Sequence, residues 1–315
     1  MAYVKYYSFT IAICTYNRAQ LLKKCIDSIL AQNYSRKLLE ILVIDDCSSD
    51  DTHRLVLKIK KNNFDIHINY LRIPVHKTVT TARNEALRRG MHKRLIFIDD
   101  DVYMPPLWLQ RLNTLLDKYP HYALIGGPII PTLLPEVKKP MWLIDEILEG
   151  YAFAFLNWNR TNKILKFPES LHTANCYLNL SLLGKEAYFD ERFGESQSRH
   201  IVGEDIELNW RLIQKGYRIL FHQKLKVNHL IPQTKISVFY ILRKCFYWGR
   251  TEAKLHSVFI IKGPNNYNAD HLRELRLQIK LFIKSVVLSF NNPLVPASEI
   301  AYHLGYLQET MNFFN

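Results

Sequence analysis

Phe97-Ile98-Asp99-Asp100-Asp101-Val102 places three consecutive carboxylates at the end of a short apolar run. Read as a strand, the run alternates its side chains, so Asp99 and Asp101 are expected to share a face. Three neighbouring like charges repel one another unless a cation or a polar partner compensates them. Hard divalent cations take oxygen ligands of this kind, and Mg²⁺ commonly shares one or two carboxylates with substrate phosphates. The stretch therefore reads as a metal-nucleotide site at a strand end, with a solvated acidic turn as the plainer alternative.

Outward from this stretch, the first half of the chain alternates strand and helix patterns. Phe9 to Cys14 is a short apolar run, and Ala19 to Gln32 follows with apolar residues at 21, 22, 25, 26, 29 and 30, a helical stripe. Glu40 to Ile44 reads as a second strand, ended by Asp45-Asp46-Cys47-Ser48-Ser49-Asp50, which can turn the chain and cap the next helix. His67 to Arg72 and Arg94 to Ile98 read as further strands, with a helix from Thr80 to Arg89 between them and another from Pro105-Pro106 to Lys118. This order predicts an α/β fold, a mostly parallel sheet with flanking helices, and ligands bind such sheets beyond the carboxyl ends of the strands. Tyr16-Asn17, Asp45-Asp46 and Asp99 to Asp101 all fall at such ends.

Residues 128–172 break the pattern with five prolines and the aromatics Trp142, Tyr151, Phe153, Phe155 and Trp158. The segment reads either as a loop-rich cover over a site or as a satellite hydrophobic cluster. His172 to Leu182 is expected to be a strand and Asp205 to Gly216 a helix. Beyond Ile231 the pattern is helical, and Leu272, Leu275, Ile279, Phe282, Ile283 and Val286 form one apolar face bordered by Arg273, Arg276, Lys280 and Lys284.

No run approaches the length of uncharged apolar sequence that a membrane-spanning helix needs. Met1 to Phe9 lacks the apolar core of a secretory signal, and the five cysteines form no C-x-x-C pair or zinc spacing. A reducing, cytoplasmic setting is the expectation. Net charge is +13. Between Lys235 and Lys284 ten Lys/Arg face three Asp/Glu, which favours anionic partners. No G-x-G-x-x-G follows the first strand and no G-x-x-x-x-G-K-[ST] occurs, which argues against dinucleotide oxidoreductases and P-loop NTPases.

The ordered set of motifs resembles the family 2 glycosyltransferases of the GT-A fold over roughly residues 8–260. It comprises Cys14-Thr15-Tyr16-Asn17-Arg18, Val43 to Asp50, Thr81-Ala82-Arg83-Asn84-Glu85-Ala86, Asp99-Asp100-Asp101, Val202-Gly203-Glu204-Asp205 through Arg211, and Val227-Asn228-His229. The resemblance implies a catalytic domain over 1–230, with a nucleotide-binding half at 1–127 and an acceptor-binding half at 128–230, and a helical appendage at 231–315. It implies that Thr15 and Tyr16 hold the base of a UDP-sugar, in a loop shared with Asn17 and Arg18, and that Asp46 accepts a uracil N–H. Arg83 would approach the base or the pyrophosphate, and Asp99 the ribose. Asp101 would ligate Mn²⁺ or Mg²⁺, with Asp100 as the alternative ligand, and His229 would complete the metal or phosphate site.

The chemistry has its own logic. A nucleoside diphosphate leaves with growing negative charge that a divalent ion stabilises. An acceptor hydroxyl needs a positioned carboxylate to take its proton. Asp205 is the best candidate base; the resemblance implies that the aspartate of this pair is the base and that Glu204 orients the acceptor, and a single base with in-line attack implies inversion. The plainer reading of Glu204-Asp205 is a pair of charges favoured at a helix N-terminus. The acceptor is expected to be a saccharide or lipid-linked saccharide. Ile236 to Trp248, with five aromatics beside Arg243 and Lys244, reads as a peripheral contact with the anionic inner face of a membrane, or as a lid or homodimer contact. A nucleotidyltransferase on a related sheet is the alternative enzyme, though Cys14 to Arg18 lacks the expected glycines. A nucleic-acid-binding protein is the non-catalytic alternative; no nucleic acid is expected as a partner, because no binding motif is visible.

Overall fold

The computed structural model describes residues 5–140, 143, 150, 152–158, 161–194, 201–259, 264–288 and 292–312. Trp142 and Tyr151 lie outside them, as does the side chain of Val286. The described chain divides into two units. One comprises Met1–Ile130, Leu156–Arg192 and Glu204–Leu230, and the other Pro131–Phe155, Phe193–Gly203 and Ile231–Asn315.

The first unit is built on strands β1 (Phe9–Thr15), β2 (Leu39–Asp45), β3 (His67–Arg72) and β4 (Arg94–Ile98), joined by helices α1 (Ala19–Leu30), α2 (Thr52–Asn62) and α3 (Val79–Arg89). β1 pairs in parallel with both β2 and β4, and β2 with β3. β2 is buried along its whole length and β1 at every residue but Cys14, the continuous apolar reading of parallel strands covered on both faces. Glu40 is buried within β2 because its carboxylate accepts hydrogen bonds from Thr10 Oγ1, Asn69 Nδ2 and the Met91 amide. α1 buries Leu22, Cys25, Ile26 and Ile29 from its predicted stripe. Thr78 caps α3 by accepting from the Thr81 amide.

The sheet continues through β6 (Leu124–Gly126), β8 (Lys163–Ile164), β9 (Asn175–Asn179) and β10 (Ile219–Phe221), in the order β3-β2-β1-β4-β9-β6-β10-β8. β9 runs antiparallel to β4 and β6. A smaller sheet holds β5 (Val102–Tyr103), β11 (Val227–Ile231) and β7 (Ile129–Leu133) in the order β5-β11-β7. Further helices are α4 (Trp108–Lys118), α5 (Leu180–Leu183) and α6 (Glu204–Gln214).

Three expectations change. β4 ends at Ile98, and Asp99–Asp101 lie in a turn closed by the Val102 amide on the Asp99 carbonyl. The pleat rule therefore does not govern them: Asp100 and Asp101 are both buried while Asp99 is half-exposed. The strand expected from His172 to Leu182 is only Asn175–Asn179, because Asn179 caps the short α5. Aromatics of the 128–172 segment are partly core: Phe153 is buried and Trp158 packs on Phe221 with centroids 4.8 Å apart.

The second unit contains α7 (Val238–Phe259), α8 (Pro264–Leu288) and α9 (Leu294–Asn312). Within Ile236 to Trp248, Ile241 and Cys245 are buried, Tyr240, Phe246, Tyr247 and Trp248 are half-buried, and Phe239 is exposed. α7 and α9 meet through glycines. A Cβ at Gly249 would stand 1.8 Å from the Tyr302 carbonyl oxygen, and one at Gly305 2.0 Å from that of Phe246. No described helix is long and apolar enough to cross a membrane. Gly249→Ala is expected to lower the unfolding free energy by about 3 kcal/mol, because rigid backbone cannot yield to the methyl group. Urea denaturation followed by circular dichroism checks this, and unchanged stability would show that the helices can separate at little cost.

Candidate active site

Three strand-end segments of the first unit converge. Thr15, the last residue of β1, donates its hydroxyl to Asp100 Oδ2 at 2.7 Å, and its carbonyl accepts the Asp46 amide at 2.9 Å. Asn17 adopts a positive φ of 51° and binds the loop after β2: its amide donates to Ser48 Oγ, and its Oδ1 accepts from the Ser49 amide at 2.7 Å. Asn tolerates this left-handed backbone better than most residues. Asn17 is thus what locks the first loop to the second.

Arg18 Nη1 lies 3.0 Å from Asp100 Oδ1 and 3.2 Å from Asp101 Oδ2. The other Asp101 oxygen is 3.2 Å from His229 Nε2, which β11 delivers by pairing His229 with Val102. Two buried carboxylates are therefore bracketed by a guanidinium and an imidazole. Burial, and the Asp101 charge beside it, push the Asp100 carboxyl up, while Arg18 and the Thr15 hydroxyl pull it down.

A second network lies on α3 and α6. Arg83 is buried and pairs with Glu204 Oε1 and, at 3.2 Å, with Asp99 Oδ1. Arg83 thus bridges the turn after β4 to the start of α6. Burial raises the Glu204 carboxyl against the opposing Arg83 charge, and the Asp205 charge raises it further. Asp205 behaves oppositely. Burial alone would raise it, but the hydrogen bond to His172 and the charges of His172 and Arg83 hold it below its ordinary value. His172 Nδ1 stands 3.2 Å from Asp205 Oδ2, and the Thr173 amide donates to the same oxygen at 3.3 Å. The adjacent carboxylates are thereby driven apart, the pattern that separates acid and base roles.

At the far side, Tyr16 stacks on His76 with centroids 4.0 Å apart and rings 14° from parallel, leaving Tyr16 partly exposed as a flat apolar face. His76 Nδ1 lies 2.9 Å from Asp46 Oδ2, and the Lys77 amide donates to Asp46 Oδ1 at 2.9 Å. Burial raises the Asp46 carboxyl against these partners. A carboxylate offers about four acceptor directions, so room for another donor remains.

The structure brings together all twelve residues singled out from the sequence in two linked groups: Thr15, Asn17, Arg18, Asp100, Asp101 and His229 around the acid pair, with Tyr16 and Asp46 beside it, and Arg83, Asp99, Glu204 and Asp205 in the second. His76 and His172 were missed. Neither carries a spacing signal in the sequence, and each becomes visible only when the fold sets it against Asp46 or Asp205. Arg211, which follows the Glu204-Asp205 motif, is instead a clamp, donating to Glu207 and to the Glu186 and Tyr188 carbonyls.

The profile of the family described as "Glycosyl transferase family 2" matches residues 10–189. The chain belongs to this family. Membership in a glycosyltransferase family favours that class over the nucleotidyltransferase alternative. The poly-beta-1,6-N-acetyl-D-glucosamine synthase of Staphylococcus aureus is 22% identical over 71% of this chain and 50% of its own length. The chain thus spans about half the length of that curated relative. The glucosyl-dolichyl phosphate glucuronosyltransferase of Haloferax volcanii is 18% identical over 85% of this chain and 83% of its own. Among solved structures, the mannosyltransferase of Pyrobaculum calidifontis in complex with GDP-Man and Mn²⁺ aligns over 98% of this chain and 88% of its own, at 18% identity with a TM-score of 0.65. Staphylococcus aureus TarS with UDP aligns over 98% and 92%, at 14% identity with a TM-score of 0.51. These likenesses establish the shared GT-A-type fold.

The carboxyl of Asp205 is expected to titrate below an ordinary aspartate in ¹³C NMR of aspartate-labelled glycosyltransferase, and to move upward in His172→Gln. The sign follows from the hydrogen bond and charge that His172 supplies, which favour the ionised form. An Asp205 titration unmoved by that substitution would remove His172 from the site.

Proposed function

We propose that this family 2 member is an inverting glycosyltransferase that moves a sugar from a UDP-sugar to an acceptor hydroxyl with Mn²⁺ or Mg²⁺ bound. The observation that carries the reading is the pair of buried carboxylates, Asp100 and Asp101, beside a second buried pair whose two members are driven apart in acidity. The donor set suits a hard cation: carboxylates of the Asp99–Asp101 turn and the His229 imidazole, with phosphate oxygens to complete the shell. Among the described residues no three His, Cys, Asp or Glu side chains are grouped as a metal site without a further ligand. When bound, the ion supplies positive charge to the leaving diphosphate.

The chain's own groups do the rest. Tyr16 offers its face to the base, Thr15 lies at the same strand end, and Asp46 accepts the uracil N–H. Arg18, already between Asp100 and Asp101 and partly exposed, is placed to turn toward a phosphate when the cation takes its position. Arg83 holds Asp99 toward the ribose and Glu204 toward the acceptor. Asp205, kept ionised by His172, takes the proton from the attacking hydroxyl on the face opposite the leaving group, and that geometry inverts the anomeric carbon.

The mannosyltransferase structure holds GDP-Man, whereas those of TarS and of GalNAc-T7, which aligns with a TM-score of 0.56, hold UDP. The carboxylate of Asp46 can accept a uracil N–H, and UDP is the donor nucleotide we favour here. The Haloferax relative's name specifies a dolichyl-phosphate-linked sugar as acceptor. A lipid-linked saccharide is accordingly the acceptor class we favour, used at the cytoplasmic face of a membrane.

Hydrolysis and transfer assays over a nucleotide-sugar panel with Mn²⁺ test the proposal, and turnover with GDP-sugars alone would overturn the donor. Asp205→Asn should leave UDP affinity nearly intact while lowering kcat by 10²- to 10⁴-fold, the usual worth of a general base. Weakened UDP binding with normal turnover would contradict that role. Asp101→Ala should abolish turnover, and unchanged activity would transfer the ligand role to Asp100. Asp46→Ala should raise the donor KM with a smaller effect on kcat.

A further inference from the structure

The buried side of helix α8 in the second unit carries a polar line: His271 and Ser285 are buried and Glu274 and Gln278 half-buried, beside the half-buried Leu275 and Phe282. His271 stacks on Tyr306 at 3.6 Å and shares a 2.8 Å hydrogen bond with His303, which ties this polar line to α9. The outward side carries Leu272, Ile279 and Ile283 on one flank and Leu277 and Leu281 on the other, each 41–55% exposed. Between these flanks, at about 100° per residue, fall Arg273, Arg276, Lys280 and Lys284, all exposed. Arg273 pairs with Asp270 at 3.3 Å, and Arg276, Lys280 and Lys284 have no carboxylate partner among the described residues. The apolar face expected from the sequence is divided: Leu275 and Phe282 are half-buried, and Leu272, Ile279 and Ile283 are exposed.

Five exposed Leu and Ile side chains along one helix flank a stripe of four basic residues, and exposed apolar surface rimmed by polar residues is a mark of a protein or membrane contact. A second copy of the chain seated face to face would bring two basic stripes together. An acidic protein surface would answer the charge but not the leucines. An anionic bilayer answers both, since acyl chains take Leu and Ile while long basic side chains reach the headgroups.

We propose that the outward face of α8 is the docking surface of this enzyme for an anionic lipid membrane. This moves the membrane contact from Ile236 to Trp248, most of whose aromatics are at least half-buried in their own unit, to the helix that follows. It does not depend on the donor or the catalytic roles proposed above.

The test is flotation of the full chain with vesicles of phosphatidylcholine alone and of phosphatidylcholine with 30% phosphatidylglycerol. Wild-type protein should float with the anionic vesicles at low salt and stay behind with the neutral ones. The quadruple variant Arg273→Gln/Arg276→Gln/Lys280→Gln/Lys284→Gln and the triple variant Leu272→Ser/Ile279→Ser/Ile283→Ser should each bind at least tenfold more weakly, while their circular dichroism and UDP binding match wild type. A bimane label at Ile279→Cys should shift its emission to the blue on anionic vesicles, a readout that stands even if the multiple variants fold poorly. Failure to float, variants that float like wild type, or an unshifted label would overturn the proposal. So would a dimer by light scattering that the triple variant converts to monomer, since the face would then belong to a second copy. UDP binding by wild-type protein reads the catalytic proposal separately.

Discussion

Burying Asp100 and Asp101 side by side is the constraint on which the site depends. Two carboxylates removed from water cost several kcal/mol each unless countercharge and hydrogen bonds compensate them. Arg18, His229 and the Thr15 hydroxyl supply this compensation, and each comes from a different part of the chain. Thr15 ends the central strand, Arg18 precedes α1, and His229 arrives on β11. These contacts form where the three segments meet, so the electrostatics of the site and the order of the strands are coupled. Arg18 is the most exposed member of this set, and in the proposed function it is the one that would yield to a divalent cation.

Arg83 plays a comparable part for the second group. Its buried guanidinium is held between Asp99 and Glu204, so the turn that carries the acid cluster and the helix that carries Asp205 are tied by one residue of α3. Glu204 faces that guanidinium, while Asp205 faces His172. Adjacent residues of a single helical turn therefore have unlike acidity.

Much of this was legible in the residue order. The strands at Phe9, Glu40, His67 and Arg94 announced themselves as apolar runs closed by turn residues, and the acidic or polar residues after them fell at one end of the sheet. What stayed hidden depends on tertiary placement. Asp99 to Asp101 read as a pleated continuation of β4, but the chain turns there to start β5 in another sheet, so burial falls on two successive residues. His76 and His172 have meaning only through partners about 30 residues away. Which part of the α8 stripe is covered could not be read from periodicity, which marks an apolar stripe but not the direction it faces; the stacking of His271 on Tyr306 fixes that.

The most direct test of a cation-completed nucleotide site is calorimetric titration of the wild-type chain with UDP, with and without Mn²⁺. With Asp100 and Asp101 exchanging Arg18 for the metal, UDP should bind at least tenfold more tightly with Mn²⁺ than without it. Equal affinity in both conditions, or no UDP binding in either, would contradict it.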